Sequence, residues 1–186
     1  EPWRIETFIK KWQEYTVNKK VFSALFDSVV EHRKSGPVAC YDTKVATYQK
    51  LRKGNVVGNQ VFTKTSYLKA VGGFDEQMPA LQDWDTWLRL SNQYGDILNI
   101  NTRSYIQIQN HAGERITGKP AEKIRFAFNR LMNKLQPLTR SEESHLLATM
   151  YSGYPQIDIR ISELFKIFMG GHFRKVAQVV KRTLLK

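Results

Sequence analysis

The glycine pair Gly72-Gly73, the acids Asp75 and Glu76 behind it, and the run Asp83-Trp84-Asp85-Thr86-Trp87-Leu88-Arg89-Leu90 constrain this chain more than any other stretch. Thr65 or Ser66 can cap a helix through Tyr67, Leu68 and Val71. Gly72 or Gly73 then stops it, because glycine adopts the left-handed backbone that closes a helix at no steric cost. Residues 74–82 hold Asp75, Glu76 and Pro79 without periodicity and read as a loop. Asp83 can cap a second helix that runs to Tyr94, with Gly95 just past its end. That places a carboxylate at a loop-to-helix junction. Trp84, Trp87 and Leu88 follow at helical spacing and suit a core, although an indole face can also stack on a sugar. Asp85 and Arg89 stand one turn apart, the spacing of a helical ion pair.

The flanking chain is mixed. Pro2 and the apolar stripe Ile5, Phe8, Ile9 and Trp12 predict an amphipathic helix over 2–15. The run 21–30 is taken as a buried strand, although its apolar positions also fit a helix; 35–37 reads as a turn, and Val45, Tyr48 and Leu51 as a short helix ending near Gly54-Asn55. Residues 56–63 read as a short strand, and 96–110 as two short strands joined at Asn101-Thr102. Beyond Pro120 the pattern is helical. Ile124, Phe128, Leu131 and Leu135 make one stripe, Ser141-Glu142-Glu143-Ser144 starts another helix, and the tail breaks at Gly170-Gly171.

Length and charge bound the function. At 186 residues the chain can build a real core. Its net charge of +12 favours an anionic partner, whether a phosphorylated ligand, a polyanion or an anionic membrane. From Arg160 onward, seven basic residues face the single acid Glu163, so about half of that charge lies in the tail. The single Cys40 cannot form an internal disulfide, so nothing points to an oxidising compartment and a cytoplasmic setting is the default. No apolar run approaches the roughly 20 residues that cross a bilayer.

With Gly72-Gly73-Phe74-Asp75-Glu76 and Gln82-Asp83-Trp84-Asp85-Thr86-Trp87-Leu88-Arg89-Leu90 in place, the chain resembles the acceptor-side half of family 2 glycosyltransferases, inverting enzymes of the GT-A fold. It departs from that family's usual pattern at Gln82, where Glu is common, and at Thr86, where Leu is common. The opening Glu1-Pro2-Trp3-Arg4-Ile5-Glu6 is similar to the helix that follows the family's metal-binding Asp-x-Asp. The segment 55–59 is similar to the entry to the strand before the glycine pair, and His111 with Arg115-Ile116-Thr117 to the family's His loop. Asp83-Trp84-Asp85 also spells Asp-x-Asp, but it follows the glycine motif and opens a helix, so it reads as the downstream motif. The resemblance covers about residues 1–118.

The resemblance implies a mixed α/β fragment: the C-terminal half of a GT-A domain over 1–118, followed by a basic helical extension over 119–186. The nucleotide-binding half would lie before Glu1, and this chain alone would be inactive. It further implies Asp83 as catalytic base, with Asp75, Glu76, Trp84 and Asp85 on the acceptor side. His111 and Arg115 would stand near the diphosphate, His111 also as a metal ligand, with a divalent cation (Mg or Mn) in the intact enzyme. The implied partners are a nucleotide-sugar donor and a glycan or lipid-linked acceptor. The tail, 160–186, could rest on an anionic membrane, which would make the protein peripheral at its inner face. The helix N-terminus carries a counter-expectation, since it stabilises the anion and so weakens Asp83 as a base. Taken alone, Asp83 reads first as a plain N-cap and His111 as structural, while Asp75 and Glu76 read equally as a solvated loop. The rival reading is a module without catalysis that docks a partner or a membrane. A nucleic-acid binder ranks below it, since no binding motif for nucleic acid is present.

Overall fold

The computed structural model describes residues 2–33, 36–108 and 120–184. The protein is a mixed α/β chain that divides into two compact units, each discontinuous in sequence. One comprises 1–51, 55–75 and 83–113, the other 52–54, 76–82 and 114–186.

The first unit carries all the strands found among the described residues. In chain order its elements are α1 (Arg4–Val17), β1 (Ala24–Phe26), β2 (Val29–Arg33), β3 (Gly36–Cys40), β4 (Val45–Ala46), α2 (Tyr48–Leu51), β5 (Phe62–Thr63), α3 (Thr65–Ala70), α4 (Gln82–Tyr94), β6 (Ile97–Asn99) and β7 (Tyr105–Ile108). The strands form two sheets, ordered β4-β6-β1-β5 and β3-β2-β7. β1 is buried along its whole length, as a central strand with both faces covered requires.

The expected single strand over 21–30 is in fact two, broken at Asp27-Ser28, and each half belongs to a different sheet. β6 and β7 make the same passage between the sheets. β1 pairs in parallel with β6, Leu25 opposite Leu98, and β2 pairs in parallel with β7, Val30 opposite Ile106. Two strand-runs thus travel side by side through both sheets, and the bend is stapled by the fully buried Asp27. Its carboxylate accepts from the backbone N–H groups of Thr102 and Arg103, both at 2.7 Å, from that of Ser104, and from the hydroxyls of Thr102 at 2.8 Å and Ser104 at 2.6 Å. Burial alone would push this carboxyl up. The donors from Ser104, Thr102 and Arg103 outweigh it and hold the group below the ordinary carboxylate range.

Other boundaries also move. Gly36 and Pro37 lie in β3, paired with Arg33 and His32, rather than in a turn, and Ser35 lies outside the described residues. Val45 is in a strand, and of the expected strand over 56–63 only Phe62 and Thr63 pair. α1 forms as its stripe predicts. It buries Phe8 against Phe22, Leu25 and Ile100, with Trp12, Tyr15 and Phe62 packed around them. A buried Phe of this kind contributes about 2 kcal/mol.

The second unit is helical: α5 (Ala121–Lys134), α6 (Arg140–Gly153), α7 (Ile161–Met169) and α8 (Phe173–Leu184). Ile124, Phe128 and Leu131 form the buried stripe of α5, as their spacing predicts. α6 opens one residue earlier than Ser141, in a capping box between Thr139 and Glu142. Glu142 also takes a forked bond from Arg52, whose guanidinium donates in addition to the carbonyls of Leu135 at 3.0 Å and Pro137 at 2.9 Å. Between α7 and α8 the two glycines have different tasks. Gly171 turns the chain with φ +85°, whereas a Cβ on Gly170 would sit 1.9 Å from Ser144 Oγ, so close approach to α6 demands its bare backbone.

Candidate functional site around Asp83

The glycine pair ends α3 as expected. Gly72 and Gly73 have φ of +82° and +64°, and their N–H groups reach back to the carbonyls of Lys69 and Leu68. The helix begins without a Thr65 or Ser66 cap, Lys64 being its first flanking residue. The turn is fastened to α4 by Arg89. Its guanidinium donates to the carbonyls of Val71 and Gly73, the latter at 2.8 Å, to Thr86 Oγ1 at 3.0 Å and to Asp85 Oδ2 at 2.7 Å. The (i, i+4) pair read from the sequence is therefore part of a larger clamp that joins the glycine motif to the helix. Asp85 itself is buried and engaged in this clamp.

α4 is buried around most of its circumference, and both of its indole N–H groups are paired. The indole of Trp84 donates to Leu51 O at 2.7 Å and that of Trp87 to Gly58 O at 2.9 Å. With Trp84 only 2% and Trp87 only 3% exposed, neither ring offers a face for a sugar. Trp84 is thereby corrected from acceptor contact to core. Phe74 packs edge-on against Trp87 at 5.9 Å while remaining half exposed.

Asp83 is not the N-cap. The helix begins at Gln82, preceded by Leu81 in a left-handed conformation (φ +64°), and Asp83 sits inside the first turn. The side chain is half-buried. Its carboxylate accepts from the Asn55 amide at 3.1 Å and lies close to the backbone N–H groups of Trp84 and Asp83. These donors favour the anion, yet burial outweighs them and pushes the carboxyl above its ordinary value. Burial therefore acts against the weakening expected from the helix N-terminus.

Asn55 organises the loop that faces Asp83. Its side-chain oxygen accepts from the N–H groups of Val57 at 3.1 Å and Gly58 at 3.0 Å, and its amide donates to Gly58 O at 3.1 Å as well as to Asp83. Gly58, with φ +85°, lets Tyr41 lie over the loop, since a Cβ there would come 3.1 Å from the ring. Tyr41 is itself held at φ +63°. Burial raises the Tyr41 phenol, and the charges of Glu31 and Asp83 raise it further, so this hydroxyl stays protonated beside the aspartate. Sequence reasoning noted 55–59 without seeing its target. The signal present was Asn55-Val56-Val57-Gly58, an Asn followed by Gly at Asx-turn spacing. Nothing in the sequence pointed to Tyr41.

Of the other predicted site residues, Asp75 is half-buried at the end of the glycine turn and Glu76 is exposed. His111 and Arg115 lie outside the described residues. Among the described residues, no three His, Cys, Asp or Glu side chains are grouped to hold a metal ion. An open recess of about 570 Å³ on the first unit is lined by Ile9, Trp12, Gln13 and residues 62–66, and includes none of the predicted site residues.

A mixed α/β unit with a carboxylate raised in basicity on the first turn of a buried helix is a scaffold on which group-transfer chemistry can be built. Comparison with known proteins gives that scaffold a class. Over 99 residues, 53% of its length, the chain is 31% identical to the Escherichia coli (strain K12) protein named "Putative colanic acid biosynthesis glycosyl transferase WcaA". The chain spans about a third of that relative, 35% of its length. It therefore contains a glycosyltransferase-related region. No protein-family model matches it.

Proposed function

We propose that the chain is the acceptor-side part of an inverting, family 2-like glycosyltransferase of the GT-A fold, with Asp83 as the general base. The observation that carries this reading is the Asp83 carboxylate itself: half-buried on the first turn of α4, held by Asn55 at 3.1 Å, and pushed above its ordinary value by burial. The similarity to a glycosyl transferase supports the reaction class.

In this reading an acceptor hydroxyl, on a glycan or a lipid-linked sugar, hydrogen-bonds to Asp83. As the hydroxyl oxygen attacks the anomeric carbon of a nucleotide-sugar donor, its proton passes to the carboxylate. The bond to the nucleoside diphosphate breaks on the opposite face, so a single displacement inverts the configuration. Asn55 is a positioning residue: it fixes the carboxylate and the 55–58 loop together. Asp75, at the glycine turn, and the neighbouring Glu76 are the remaining acceptor-side candidates, while Asp85 serves through its clamp with Arg89. The family resemblance gives His111 and Arg115 to the diphosphate. A divalent metal would offset charge on that leaving group. Among the described residues no three His, Cys, Asp or Glu side chains are grouped to hold it.

The test is Asp83→Asn in the protein together with its donor-binding part. The expected result is a fall in kcat of about 10²-fold or more with donor affinity unchanged. Wild-type kcat/KM should fall on the acid side as pH drops through the raised pKa of Asp83. An unchanged kcat removes the base assignment.

A further inference from the structure

The outer face of the helical unit departs from what a surface helix normally presents. α7 is seated by the fully buried Ile167 and by Glu163, which pairs with Arg125 at 2.9 Å and with the Tyr151 hydroxyl. A helix anchored in this way should turn polar residues outward. Instead Ile161, Phe165, Phe168 and Met169 repeat at i, i+4, i+7 and i+8 on the side away from Ile167, and are 85%, 62%, 48% and 50% exposed. The stripe continues across the Gly170-Gly171 break. Phe173, 57% exposed, meets Phe168 edge-on at 4.9 Å and starts a second row on α8 with Ala177 and Val180.

Cations border this surface. At about 100° per residue, Arg174 and Lys181 of α8 fall immediately beside the row begun by Phe173, with Lys175 further round. All three are exposed. Arg160, 61% exposed, stands at the start of α7. An apolar ridge of large side chains flanked by long basic ones matches a bilayer surface. The ridge enters the acyl boundary while the Arg and Lys stems reach back to the phosphates. A second copy of this chain fits poorly, because the tail has a balance of six positive charges from Arg160 onward and would meet its own sign. No helix among the described residues is long and apolar enough to cross a membrane, so contact of this kind lies along the surface.

We infer that the outer face of α7 and the start of α8 docks on an anionic lipid bilayer. The inference is independent of the chemistry at Asp83. It is tested by floating the 186-residue chain with vesicles of phosphatidylcholine alone and of phosphatidylcholine mixed with phosphatidylglycerol. The chain should float with the anionic vesicles and be released as salt is raised. Phe165→Ser/Phe168→Ser/Phe173→Ser should lower partitioning by about tenfold or more with an unchanged circular dichroism spectrum, because the replaced side chains are exposed. Arg174→Glu/Lys181→Glu should remove the preference for anionic lipid. Four results would each overturn the inference: a folded chain that does not float, equal floating with both vesicle types, undiminished partitioning of the triple Phe variant, or a dimer without lipid affinity that the same variant dissolves.

Discussion

The side-chain amide of Asn55 donates to Asp83 across 3.1 Å while its oxygen holds the N–H groups of Val57 and Gly58, so one residue both shapes the loop and favours the anion against the burial that raises the carboxyl. Asn55→Ala should raise the Asp83 pKa further, since a donor that favours the anion is lost while the burial remains. It should also cost about 1–3 kcal/mol through the released loop. Carboxyl-carbon NMR titration and urea denaturation measure the two effects, and a downward shift at Asp83 would contradict the geometry.

Arg89→Ala removes the guanidinium that Asp85 pairs with and opens the glycine turn. With the Asp85 side chain only 3% exposed, the expected loss is about 2–4 kcal/mol. Asp85→Asn/Arg89→Met should recover part of it. A double-mutant cycle in denaturant reads the coupling, and simple additivity would show that the clamp is not energetically real.

Asp27→Asn keeps the shape of the strand bend but turns an amide N–H₂ toward groups that already donate. A loss of about 3 kcal/mol is expected. Because the folded pKa lies below the unfolded one, the contribution of the wild-type carboxylate is complete above roughly pH 4 and disappears as pH falls through the folded value. Stability followed against pH should therefore slope less in the variant on the acid side.

Glu142 behaves in the same sense for the helical unit. Its bond from Arg52, opposed by burial and aided by Thr139, brings the carboxyl from 4.5 to about 2. The stabilisation is full above roughly pH 4.5 and is lost between there and about pH 2. Allowing for water at this pair, Glu142→Gln should cost about 2 kcal/mol at neutral pH and little at pH 2. Thermal melts at the two pH values separate these outcomes.

The helices were legible because their evidence is local. The stripe in α1, the tryptophan spacing in α4 and the break at Gly170-Gly171 are each written within a few neighbouring residues. What stayed hidden depends on partners far along the chain. The strand break at Asp27 is fixed by donors at 102–104, and the proton affinity of Asp83 by burial, with Asn55 opposing it. The location of Asp83 was readable in the sequence. Its environment was not, because the apolar run before Asp27 and the loop before Gly58 look alike until tertiary contacts distinguish them.

The helical unit takes residues 52–54 and 76–82 as well as 114–186, so the chain enters it three separate times. Met78 and Ala80, fully buried, belong to the second of those visits. Removing everything after residue 118 would therefore strip the packing from two short pieces left behind, and a tail exchanged between relatives would arrive without them. Neither unit can be cut out as one continuous stretch of chain.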